Sequence, residues 1–274
     1  MAKLIDDQVR IVPTWVAAAR YLNKQRPKRQ ARNLLLEIPN PLELTDDDRA
    51  TMGKVDEALA PRELTLKTVA GTIFPLPMYR KFGRPGYYEK YEAMLERGQA
   101  ENTWGTYAHR MISRPGKEPG TTINPLDDLV NKLSNGGQPQ RKDGVKVSFT
   151  ATYELSVADP EEDLLPESDE GGDVPTYNPA LDRNDWLGLP CLSHLSFKRV
   201  PCDGGHAVDL TAMYRSHHYC ARALGNLLGL AQLLSFVAEE SQLRVGTLSC
   251  LSTHAELDVR EWGGVASANT ILGT

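Results

Sequence analysis

Between Leu187 and Asp258 the chain carries four residue types that could share one pocket. Cys191 follows Pro190 and opens a strand-like run. A thiol at a strand end can face a cavity, and a nearby arginine favours its thiolate, the form that attacks carbon. A single cysteine is also a common small core residue, and that reading stays open. Arg215 and Ser216 close another strand-like run. A planar guanidinium fork beside a hydroxyl suits a phosphate monoester; a surface salt bridge is the plainer use. Asn226 enters a long apolar run, where an unpartnered amide would cost about 1–3 kcal/mol. It needs a hydrogen-bonding task, with the backbone or with a ring that offers a carbonyl beside an N–H, as uracil does. His254 follows a later strand-like run, and taken alone reads as structural. His217-His218 has no third ligand at metal-site spacing, so no metal is expected.

These residues need elements to hold them. Ile11–Leu22 predicts a helix with Pro13 in its first turn. Lys24–Arg32 is basic and reads as a solvated or phosphate-facing loop. Asn33–Leu44 reads as extended, broken at Pro39 and Pro41, and Thr45 with Asp48 as a capping box. Leu64–Ile73 fits helix or strand. Tyr87–Arg97 predicts an amphipathic helix, Trp104–Met111 an irregular piece, and Pro125–Leu133 a helix with Leu126, Leu129, Val130 and Leu133 on one face. Val145–Leu155 alternates as a strand does; His194–Val200 and Ala207–Tyr214 predict two strands joined by a Gly-Gly turn. Leu224–Ala238 reads as a helix buried on most sides, too short and too interrupted by polar residues to span a membrane. Thr247–Ser252 predicts the last strand. Strands mixed with helices around one central helix imply an α+β fold.

The composition narrows the classes. A chain of 274 residues with net charge −5 can bury a full core, and its acidity argues against a general nucleic-acid coat. Its four cysteines lack CxxC spacing, which implies reduced thiols in a cytoplasmic protein. The segment at about 159–180 begins acidic, with no Lys or Arg between Asp159 and Asp173. It reads as an exposed insert, or as an arm for another protein, within a single domain spanning 1–274.

The order Pro-Cys, two strands, Arg-Ser, ten residues to an Asn in an apolar helix, then His after the next strand resembles the thymidylate synthase superfamily, which includes the pyrimidine-nucleotide hydroxymethylases. The resemblance implies that family's mixed sheet with a long buried central helix. It implies Cys191 as the nucleophile, Arg215 and Ser216 on phosphate, Asn226 on the base and His254 near the sugar. Tyr107, in GTYAHR, matches the family's active-site tyrosine, and Arg32 in the basic loop is a further phosphate candidate. A thiolate adding to C6 of a pyrimidine makes C5 nucleophilic toward a one-carbon unit. The implied substrate is a pyrimidine nucleoside monophosphate, the implied carbon donor methylene-tetrahydrofolate and the implied assembly a homodimer. Several positions depart from the family. Leu192 stands at a usual His, His218 at a folate-contacting Asp, and Arg222 at a Gly near folate. Glu256, which could accept hydrogen bonds from sugar hydroxyls, stands at a Tyr, and Thr72 falls where the catalytic Glu is expected. These departures support a second reading, a nucleotide-binding homologue without folate chemistry.

Overall fold

The computed structural model describes residues 2–98, 106–116, 118–134, 154–156 and 191–274. In chain order these form β1 (Lys3–Ile5), α1 (Ile11–Lys24), β2 (Gln30–Ile38), α2 (Asp46–Leu59), α3 (Leu66–Gly71) and α4 (Leu76–Phe82). Then come α5 (Gly86–Gly98), α6 (Tyr107–Ile112), β3 (Arg114–Pro115), β4 (Thr122–Ile123), α7 (Pro125–Ser134) and β5 (Glu154–Ser156). The C-terminal part holds β6 (Leu192–Cys202), β7 (Gly205–Tyr214), β8 (His217–His218), α8 (Leu224–Glu240), β9 (Arg244–Glu256) and α9 (Val265–Leu272). The fold is α+β. Most of the predicted strand at Val145–Leu155, and the acidic segment at about 159–180, lie outside the described residues.

Among the described residues seven strands make one mixed sheet in the order β1-β2-β9-β7-β6-β5, with β8 added beside β9. β7 and β9 run parallel, and α8 is the crossover between them, as a parallel pair requires. The inward face is apolar: Leu34, Leu36 and Ile38 of β2, Leu210 and Ala212 of β7 and Leu248 and Cys250 of β9 are buried. β2 begins at Gln30, before the expected Asn33, and ends at Ile38, just before Pro39. Its alternating leucines stay paired with β9 down to Gln30↔Glu256. The basic stretch is thereby divided: Lys24 closes α1 and Arg32 lies within a strand. For the same reason β9 extends past Ser252 and holds His254 and Glu256 inside a strand.

Local chemistry explains the helix starts. Thr45 and Asp48 form the reciprocal capping box expected from sequence. Arg10 also donates to Asp48 at 2.8 Å, tying the start of α2 to the residue before α1. The ambiguous stretch before Pro75 is helical because Thr65 caps it through Thr68. The piece read as irregular contains helix α6, whose His109 N–H is capped by Thr106 Oγ1 at 3.2 Å. On α1, Trp15, Ala18, Ala19 and Leu22 recur at helical spacing on one buried face.

The central helix is longer than the apolar run suggested. A π-helical turn, Tyr219–Ala223, precedes α8, and together they span Tyr219–Glu240, 22 residues. By length and composition alone this run could cross a membrane; 72% of its most apolar window is buried within the protein. β7, β9, α1, α3 and α7 pack against α8. The contact with α3 is close because α8 has glycine there. A Cβ at Gly225 would stand 2.6 Å from Val69 Cβ, and one at Gly229 would stand 2.7 Å from the Ala70 carbonyl oxygen.

Candidate functional site

The sheet registers bring distant residues to one end. Leu192 pairs with Tyr214, Tyr214 with Ser252, and Ser252 with Leu34. One or two residues beyond that row stand Cys191, Arg215, Ser216, His254 and Arg32. The strands that carry them are about 4.8 Å apart, so the row crosses three strand spacings. The Arg215 N–H donates to the Cys191 carbonyl at 2.9 Å, and Thr253 Oγ1 donates to the Arg215 carbonyl at 3.0 Å.

A cavity of about 140 Å³ opens beside Cys191. Helix α3 supplies Val69, Thr72 follows directly on its end, and α6 supplies Tyr107. The linker from β7 to α8 supplies Ser216, His217, His218 and Arg222, and α8 supplies Asn226. Of the residues expected from sequence, Cys191, Tyr107, Ser216 and Asn226 meet here. Arg215 stands at the adjoining strand end, within electrostatic reach of the thiol. Arg32 and His254 line a separate groove of about 390 Å³ with Arg26 and Lys28. Glu256 accepts a hydrogen bond from Gln30 Nε2 at 3.0 Å. The cavity matches one six-membered ring in size: a cavity of about 150 Å³ holds benzene.

Each wall is held in place. The Tyr107 hydroxyl accepts the backbone N–H groups of Cys191 (3.0 Å) and Leu192 (3.3 Å), fixing the strand end. The Ala108 N–H donates to the Thr72 carbonyl at 2.9 Å, joining α6 to the end of α3. The Thr72 hydroxyl turns back onto the Val69 carbonyl at 2.7 Å. No carboxylate is found among the described lining residues.

Asn226 is 5% exposed and His217 is 1% exposed. Asn226 Nδ2 lies 3.2 Å from His217 Nε2, and His217 Nδ1 lies 3.0 Å from Ser252 Oγ. The imidazole stacks flat on Tyr214 at 4.1 Å. Burial pushes its pKa down to about 3, with His218 adding to the effect, so the ring is neutral at physiological pH. His217 and Ser252 are site residues that sequence reading missed. The sequence signal for His217 is a buried amide, Asn226, with an imidazole nine positions before it, rather than the adjacent pair His217-His218.

The electrostatics at the thiol are opposed. Burial pushes the Cys191 pKa up, while Arg215 and Arg222 pull it down without cancelling the burial. Burial also raises Tyr107. Beyond Arg222, Asp258 accepts the N–H groups of Cys220 (2.7 Å) and Ala221 (3.2 Å) and so caps the π turn. His218 Nδ1 lies 3.9 Å from that carboxylate, which burial raises. His218 therefore presents an imidazole to the cavity with a carboxylate behind it.

The chain is similar to a protein of the archaeon Methanococcoides burtonii described as "Putative thymidylate synthase". The two are 26% identical over 175 residues, which cover 64% of this chain and 62% of that protein. The match thus spans less than two thirds of the relative's length. No family model matches the chain.

Proposed function

We propose that the chain binds a pyrimidine nucleoside monophosphate and transfers a one-carbon unit, methyl or hydroxymethyl, to C5 through a Cys191 thiolate adduct, in the manner of a thymidylate synthase. The observation that carries this reading is the meeting of Cys191, Tyr107, Ser216 and Asn226, from separate elements, around a ring-sized cavity. The base occupies the cavity with C6 toward the thiol, and Asn226 reads its polar edge. Arg215 and Ser216 hold the phosphate outside the cavity. Of the lining side chains, His218 is the imidazole placed to move a proton. His217 is committed to Asn226 and Ser252. The similarity to the archaeal protein supports the reading.

No step is assigned to folate: the ring-sized cavity is filled by the base, and His218 and Arg222 stand at its wall where the resemblance implies an Asp and a Gly near folate. These two differences support a second reading, a nucleotide-binding subunit that performs no transfer.

The two readings separate on 5-bromo-pyrimidine nucleotides with an added thiol. Addition of Cys191 to C6 makes C5 carbanionic, and C5 takes a proton. The added thiol then removes bromine from C5 as a sulfenyl bromide, and expulsion of Cys191 restores the ring. A second thiol turns the sulfenyl bromide into disulfide and bromide, with no folate needed. Bromide release from 5-bromo-UMP, 5-bromo-dUMP or their cytosine counterparts supports transfer chemistry and identifies the base and sugar. Saturable nucleotide binding without bromide release supports the binding subunit. In both cases Arg215→Ala is expected to weaken binding about tenfold to a hundredfold. Absence of any binding removes both readings.

We infer a homodimer, a reading supported by the exposed face of the sheet. Its outer face carries Thr211 and Met213 of β7 and Leu35 and Leu251 of β2 and β9; Met213 is 37% exposed. A second copy of this face is the occupant we assign to it. Light scattering is expected to give twice the 30.3 kDa chain mass, and a Met213→Lys, Leu251→Lys double variant is expected to give the single-chain mass.

A further inference from the structure

We propose that His217, backed by Ser252, is the residue that sets which way round the Asn226 amide faces the cavity, and thereby sets the preference between a uracil and a cytosine ring. The inference rests on the nucleotide reading above and deepens it.

An amide side chain presents one acceptor and one donor on its outward edge. Turning it over exchanges them. Uracil offers a carbonyl beside a ring N–H, and cytosine offers an amino group beside a bare ring nitrogen, so the two bases need opposite amide orientations. Asn226 has no preference of its own; whatever touches its far side decides. That neighbour is His217 Nε2, at 3.2 Å. A neutral imidazole has one N–H and one bare nitrogen. In the observed arrangement Asn226 Nδ2 faces Nε2, which must then accept, and the ring proton sits on Nδ1 and is donated to Ser252 Oγ at 3.0 Å. The Asn226 carbonyl and its second N–H are left for the cavity. Turning the amide over would set its carbonyl against Nε2 and would require the proton to move there, with Ser252 donating to Nδ1.

The surroundings favour one stable setting. The ring is held flat on Tyr214 and at 63° to Tyr219. His217, Ser252 and Asn226 are at most 5% exposed, so water does not compete for the chain of bonds. β8 pins His217 opposite Ala255 of β9. A packing role alone would not need nitrogen atoms facing both polar neighbours.

The test uses the full-length protein and two readouts. Calorimetric Kd values are measured for UMP, dUMP, CMP and dCMP with wild type, His217→Phe and His217→Gln. Phe keeps the stacked ring and removes both nitrogens; Gln restores a group that can accept from the amide. The ratio of uracil to cytosine affinity is expected to move at least tenfold toward one in His217→Phe and to return in part in His217→Gln. If His217→Phe fails to fold, Ser252→Ala takes its place and is expected to shift the ratio in the same direction. A ratio unchanged within twofold in the folded variants overturns the proposal. The second readout is independent of nucleotide. Imidazole ¹⁵N spectra of the ligand-free protein are expected to show His217 neutral and protonated on Nδ1; a ring protonated on Nε2 overturns the assignment. A wild-type protein that binds no pyrimidine nucleotide overturns the nucleotide reading and base selection with it, while the spectrum still decides the order of the hydrogen bonds.

Discussion

Cys191→Ala is expected to lower bromide release from a 5-bromo-pyrimidine nucleotide by roughly a thousandfold or more, the scale on which nucleophile deletions act. Nucleotide affinity should change by less than about threefold, because the thiol contributes a bond in the reaction and little to ground-state binding. The same side chain sets the pH dependence. Burial raises the Cys191 pKa, and Arg215 with Arg222 only partly opposes this. In the ligand-free protein the thiol is therefore protonated at neutral pH. Alkylation of Cys191 by iodoacetamide should climb through the alkaline range with no plateau near neutrality. Arg222→Ala removes one opposing charge and should shift that profile further to alkaline pH. A plateau near pH 7 in wild type would contradict the balance of burial and charge described for the site. Bromide release that persists in Cys191→Ala would contradict the covalent mechanism itself.

The second large effect is on stability. In Gly229→Ala the new methyl would lie 2.7 Å from the Ala70 carbonyl oxygen and 3.0 Å from Ala70 Cα. Both neighbours are backbone, so neither can rotate away, and α3 must move off α8. Overpacking of this kind costs about 1–3 kcal/mol, and at roughly 2–4 °C per kcal/mol the melting temperature should fall by several degrees. Valine at the same position should prevent stable folding. The damage reaches the site because α3 carries Val69 and ends next to Thr72 while α8 carries Asn226. Base binding should weaken in Gly229→Ala even where the protein remains folded. An unchanged melting temperature would mean that the two helices are not in this contact in solution.

Much of this arrangement was legible in the residues. Cys191, Ser216 and Asn226 could be singled out because each stands at a place where its type is unusual: a thiol at a strand end, a hydroxyl after an arginine, an amide in an apolar helix. The alternation of β6 and β7 and the Gly-Gly turn between them were plain for the same local reasons. What could not be read locally was lateral. His254 and Arg32 stand opposite each other across two strands and line a groove apart from Cys191, because pairing with β2 carries β9 four residues past Ser252. His217 escaped notice because its importance comes from Asn226 and Ser252, one in the next helix and one in a strand beyond it. Thr72, which falls where the resemblance implies a catalytic Glu, stands on the cavity wall with its hydroxyl turned back onto α3.

The π turn at Tyr219–Ala223 has a phase consequence. Each residue added to or removed from an ordinary helix rotates everything beyond it by about 100°. The turn is clamped by Asp258 on its first amides, while Trp15 and Trp262 donate to its Tyr219 and Cys220 carbonyls at 3.1 Å each. It therefore acts as a fixed angular offset between the strand end at Arg215 and Ser216 and the helix that carries Asn226. A chain without this offset could keep the same apolar stripe by sliding one position, and the amide would then face the core in place of the cavity. The spacing from Arg215 to Asn226 thus specifies an orientation as well as a distance.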